Sequence, residues 1–182
     1  MSTSEGGGAE VIPISEAPSA QSGAARRVAP RPAVAPVEPP VIAHPAELDR
    51  VGVVLVSHSR EVASATAALA IGLVGSGDPA PVGTAGGTAD GRLGTSAELV
   101  LAAAKRVDQG MGVVLLSDLG SAVLTVKSLL AEADSNGLPF PTRFANAPFV
   151  EGAIAAVVTA SAGGDLAAVV DAAEDAYRFR KG

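Results

Sequence analysis

The stretch Val51-Gly52-Val53-Val54-Leu55-Val56-Ser57-His58-Ser59 decides how the rest of the chain is read. It is a short, β-branched apolar run that stops at Ser-His-Ser. An apolar run without alternation fits a strand buried on both faces, as in the middle of a parallel sheet. The C-terminal end of such a strand is where open α/β sheets hold their ligands and chemistry. His58 stands there, and it is the only histidine outside the first 48 residues.

A second run of the same kind, Gly112-Val113-Val114-Leu115-Leu116-Ser117, ends in Asp118-Leu119-Gly120-Ser121. Between and after these runs the helix period takes over. Ser59 can cap a helix with Val62, Ala65, Leu69 and Leu73 at spacings of three and four. Pro81 to Ala85 reads as a short strand, followed by a glycine-rich loop from Gly83 to Gly94. Thr95 and Glu98 form a capping box for a helix reaching about Val107. Ser121 opens a helix through about Ala133, with Val123, Val126, Leu129 and Leu130 inward. Thr142 to Ala147 reads as a strand, and Pro148 suits the first position of the next helix. A last helix from Asp165 places Leu166, Val169, Val170, Ala173 and Tyr177 on one face.

Repeated strand-helix alternation predicts an α/β fold: a doubly wound, mainly parallel sheet of four to five strands with helices on both faces. The expected domain spans residues 49–178 and can bury roughly two-thirds of its unfolded surface. Residues 1–48 carry eight of the thirteen prolines. No helix or strand period survives there, and a disordered Pro/Ala-rich extension holding His44 is expected. Residues 179–182 are expected to fray.

Composition narrows the chemistry. The chain has no cysteine and two histidines, so thiolate and multi-histidine metal sites are excluded, and no metal or cofactor is expected. A formal net charge of −6 argues against a nucleic-acid partner. No signal peptide or membrane-spanning run is evident, and a cytoplasmic location is expected. Hydrophobic residues make up 48% but aromatics only 3%, so the core must be built from alanine, valine and leucine.

A strand order of 2-1-3-4 makes the first and third strands neighbours. His58 and Asp118 then end side by side at the crevice of the sheet. An aspartate accepting from Nδ1–H would fix the tautomer and leave Nε2 as the nucleophile. Gly120 and Ser121 open a helix whose free N–H groups suit an anion, and the Gly94-Thr95 turn lies at the same edge. The same residues also permit blander roles: a structural histidine, a capping aspartate and a glycine linker. The loop matches neither the Rossmann nor the P-loop fingerprint. Ser57 and Ser59 do not sit in a nucleophile elbow.

The set Ser57-His58-Ser59, Gly94-Thr95, Asp118-Leu119-Gly120-Ser121-Ala122 and Ala147-Pro148-Phe149-Val150-Glu151-Gly152 resembles a known family. It is similar to the phosphotransfer subunit of phosphoenolpyruvate-dependent dihydroxyacetone kinase, whose first domain has the mannose-type enzyme IIA fold. The resemblance implies a phosphohistidine relay, with His58 accepting the phosphoryl group from the carrier protein HPr. The group would pass to ADP on the nucleotide-binding subunit of the kinase, and a third subunit would hold dihydroxyacetone. It further implies that Asp118 orients His58, that Gly120, Ser121 and Thr95 stabilise the phosphate, and that the protein is a homodimer. Related readings are a mannose-type enzyme IIA delivering to an enzyme IIB in sugar uptake, and a regulatory phospho-switch. An anion-binding domain without phosphorylation is the remaining one.

Overall fold

The computed structural model describes residues 49–75 and 77–180. The proline-rich extension and residues 181–182 of the expected frayed end lie outside them. The order of elements is β1 (Gly52–Ser57), α1 (Arg60–Gly72), β2 (Val82–Gly86), α2 (Ala97–Val107), β3 (Val113–Ser117), α3 (Gly120–Ala131), α4 (Ala133–Asn136), β4 (Thr142–Phe144), α5 (Phe149–Ser161) and α6 (Leu166–Asp175). A 3-10 turn, Ala176–Arg178, closes the described chain.

The strands form one sheet of order β2-β1-β3-β4, and every pairing is parallel. This is the order that brings the first and third strands together. All six residues of β1 and all five of β3 are buried, as their unbroken apolar runs require. Each fully buried valine or leucine contributes roughly 1.5–3 kcal/mol, so these two strands anchor the fold. Val53, Leu55, Val114 and Leu116 pack under α1, α5 and α6 on one face. Val54, Val56, Val113 and Leu115 pack under α2 and α3 on the other. The sheet is thus covered on both sides, the doubly wound arrangement.

Several local expectations shift. On α1 the buried residues are Ala63, Thr66, Ala67 and Ala70, while Val62, Leu69 and Leu73 are exposed. Small side chains face the sheet because α1 begins hard against β2. A methyl group on Gly86 would lie 2.5 Å from Arg60 Cα and 2.6 Å from Ser59 O. The cap of α2 is Ser96, not Thr95; its hydroxyl accepts from Leu99 N–H at 3.3 Å. Thr95 instead bridges to Gly87 as an extension of the sheet. Helix α3 begins at Gly120, one residue before Ser121, and buries Ala122, Val126 and Leu129. Val123 and Leu130 are only partly buried. Strand β4 stops at Phe144, and Pro148 is the cap of α5, not its first residue. Asp165 caps α6 as expected, accepting from Ala168 N–H at 2.8 Å. Tyr177 lies beyond that helix and is exposed.

Candidate functional site

The last ladder pair of β1 and β3 is Val56 with Ser117. One residue past the end of each strand, which is Ser57 in β1 and Ser117 in β3, His58 and Asp118 meet. The Asp118 backbone N–H donates to Val56 O at 3.1 Å, which fixes the aspartate at the end of the ladder. Its carboxylate then takes four donors. Oδ1 accepts from the His58 ring Nδ1 at 3.0 Å and from Leu119 N–H at 2.6 Å. Oδ2 accepts from Ser57 Oγ–H at 2.8 Å and from His58 N–H at 2.9 Å. Burial opposes the charge of Asp118. The His58 amide, the Ser57 hydroxyl, the His58 ring and the Leu119 amide outweigh it and hold the carboxyl below the ordinary aspartate range.

This geometry orients the imidazole. With Nδ1–H donated to an ionised carboxylate, the in-plane lone pair is left on Nε2. Ser121 Oγ lies 2.5 Å from that nitrogen and donates to it. The His58 side chain is 27% exposed and Asp118 15%, so the ring can be reached from solvent while the carboxylate is shielded.

Helix α3 opens beside Nε2. Its cap residue is Leu119, which makes no side-chain capping bond, and its first turn holds no acidic residue. Four described helices of ten residues or more begin elsewhere, and three of them have a serine or aspartate cap: Ser59, Ser96 and Asp165. The N–H groups of Gly120, Ser121 and Ala122 have no intrahelical acceptor, and they carry the positive end of the helix dipole. A helix start left bare next to a nucleophilic nitrogen is a ready seat for an anion.

His58, Asp118, Gly120 and Ser121 are therefore brought together. Thr95 is adjacent but not joined to them. Its neighbour Gly94 donates N–H to His58 O at 3.0 Å, whereas the Thr95 hydroxyl is buried without a hydrogen-bond partner among the described residues. The residue that sequence reasoning missed is Ser57. It is fully buried, donates to Asp118, and accepts from Ser59 N–H at 3.1 Å. A hydroxyl at the end of an otherwise apolar buried strand was the available signal, since such a group needs a buried partner. Among the described residues no three His, Cys, Asp or Glu side chains gather into a set that could hold a metal ion. No helix among them is long and apolar enough to cross a membrane.

Known proteins share this arrangement of sequence. A family model described as EIIA-man, PTS system fructose IIA component, matches residues 52–170. The phosphoryl donor subunit DhaM of PEP-dependent dihydroxyacetone kinase 2 from Listeria innocua is 33% identical over 108 residues, covering 59% of this chain and 84% of that protein. DhaM subunits of PEP-dependent dihydroxyacetone kinases from Pantoea ananatis and Escherichia coli are 34% and 33% identical, over 72% and 66% of this chain. This chain spans only 28% and 25% of the length of those two proteins. A crystal structure of a protein described as of unknown function superposes with a TM-score of 0.59 at 27% identity, covering 73% of this chain and 98% of that one.

Proposed function

Because the chain belongs to the EIIA-man family and is a DhaM-like phosphotransfer subunit, we propose that it relays a phosphoryl group on His58 for a dihydroxyacetone kinase. The observation that carries this reading is the line Asp118–His58–Ser121, which ends at the uncapped start of α3.

The donor is the phosphocarrier HPr. Nε2 attacks the phosphorus of the incoming group, the N–P bond forms, and the donor nitrogen recovers its electron pair. The ring keeps its Nδ1–H and becomes positively charged, and Asp118 balances that charge at 3.0 Å. Ser121 Oγ occupies the space that the phosphorus must enter, so the hydroxyl turns and donates to a phosphoryl oxygen. The N–H groups of Gly120 and Ser121 take the others. Most of the catalysis in such a transfer is positioning and charge stabilisation, and these groups supply both without a metal or cofactor.

In the second half-reaction a β-phosphate oxygen of ADP, held on the nucleotide-binding subunit, attacks the same phosphorus. The N–P bond breaks and its electrons return to Nε2. The ATP so formed phosphorylates dihydroxyacetone on the third subunit. On this reading the domain of residues 49–178 works in the cytoplasm as a homodimer, and it binds no sugar or nucleic acid itself. Thr95 contributes by holding the Gly94 turn against His58.

The test is labelling from phosphoenolpyruvate through enzyme I and HPr. The wild-type chain takes up one acid-labile phosphoryl group and His58→Ala takes up none; persistent labelling of the variant refutes the assignment. The labelled protein is then offered the ADP-loaded kinase subunit or an enzyme IIB. Discharge to the kinase subunit supports this reading. Discharge to the enzyme IIB alone would make the chain a sugar-uptake component, and discharge to neither a regulatory switch.

A further inference from the structure

Apart from its last residue, Gly94, the glycine-rich loop after β2 has no part in the chemistry described so far, yet it is built tightly onto the site. Gly87 N–H donates to Ser57 O at 3.0 Å, and Gly94 N–H donates to His58 O at 3.0 Å. Between these staples Thr88 N–H donates to Arg92 O at 2.9 Å and Gly91 N–H to Thr88 O at 2.9 Å. Arg92 N–H closes the turn on Thr88 Oγ at 3.1 Å. Gly87 has φ +73°, a conformation that suits glycine. A methyl group on it would lie 2.8 Å from Arg92 O and 3.8 Å from His58 O. The two carbonyl oxygens are thus no more than 6.6 Å apart, the two legs laid end to end.

The loop therefore holds the backbone of Arg92 beside that of His58. An extended arginine side chain reaches about 7 Å from its Cα. The Arg92 side chain is 80% exposed, and its guanidinium rests on Asp90, with Nε 2.6 Å from Oδ2. Asp90 is also bonded by the Thr88 hydroxyl. An exposed pair of this kind is weak and easily opened. A phosphoryl dianion is a stronger partner for the planar guanidinium fork.

We propose that Arg92 is a phosphoryl-contacting residue held in reserve. It stays on Asp90 while Nε2 is free, and it turns onto the phosphoryl group as that group arrives at His58. Asp90 is then a resting-state latch, competing for the same guanidinium. This rests on His58 being the phosphoacceptor.

The experiment compares the initial rate of phosphoryl uptake from phosphorylated HPr in the full chain carrying Arg92→Gln, Arg92→Lys or Asp90→Asn. Urea unfolding verifies that each variant is folded. The latch predicts opposite signs. Arg92→Gln slows uptake about tenfold through the lost charge-assisted bonds, and Arg92→Lys recovers part of it. Asp90→Asn, which keeps the acceptor for Thr88 but frees the arginine, runs about two- to fivefold faster. If the pair only braces the loop, both neutralising variants slow uptake alike, and the proposal is overturned. An Arg92→Gln variant at the wild-type rate overturns it too. A wild-type chain that takes up no label strikes at the role of His58 instead.

Discussion

Asp118→Asn puts the most weight on the site. The substitution keeps the size and shape of the side chain but replaces a four-bond acceptor by an amide. In the orientation that leaves the carbonyl oxygen at the Oδ1 position, the Nδ1 and Leu119 bonds survive. The amide nitrogen then replaces Oδ2 and faces two donors, Ser57 Oγ–H and His58 N–H. Ser57 can rotate and accept. The His58 amide cannot, and a buried donor left unpaired costs about 1–3 kcal/mol. The effect on transfer comes from charge. Unit charges about 4 Å apart in a partly buried site attract by about 4 kcal/mol. If about half of the ring charge has developed in the transition state, roughly 2 kcal/mol of stabilisation is lost, or about a 30-fold slower phosphorylation. The assay is the initial rate of labelling by phosphorylated HPr, with urea unfolding run in parallel to separate the stability loss. A folded Asp118→Asn chain labelled within about threefold of the wild-type rate would refute the reasoning. The carboxylate would then be a structural tie and nothing more.

Two further outcomes follow from the same geometry. Gly86→Ala should destabilise the fold by about 2 kcal/mol or more, since the added methyl meets the Arg60 and Ser59 backbone, which cannot move without shifting α1; chemical denaturation reads this directly. The folded-state pKa of Asp118 is depressed, so its contribution to stability is present above the unfolded aspartate value and is lost as pH falls through the folded one. Ser57→Ala removes one of the depressing donors. Its stability deficit against the wild type, measured by urea unfolding across the acid range, should therefore be largest near neutrality and shrink below both pKa values.

Much of the arrangement was legible because it depends on backbone order. The buried runs ending at His58 and Asp118 specified two central strands, and parallel topology then made those ends neighbours. What was not legible depended on how closely the elements pack. Along α1, the larger residues Val62, Leu69 and Leu73 suggest the core face, but the helix lies so near the sheet at Gly86 that the small residues Ala63, Thr66, Ala67 and Ala70 are the ones buried. The cap of α2 slipped by one because Thr95 and Ser96 are both competent. The backbone bridge from Thr95 to Gly87 decided between them, and no local rule contains it. Ser57 lies in no nucleophile motif, and its place in the site, holding the aspartate, depends on the neighbouring strand.

The carboxylate of Asp118 spans from one strand to the next, binding the backbone of His58 as well as its ring. It is at once the clasp that fastens the open end of β1 to β3 and the counter-ion of the imidazole. A change that loosens the grip on the ring also unpicks the sheet at its rim. The same carboxylate thus ties the His58 ring to the strand ends that carry it. Under the proposed relay, such a tie would keep one atom in one place for a donor and an acceptor in turn.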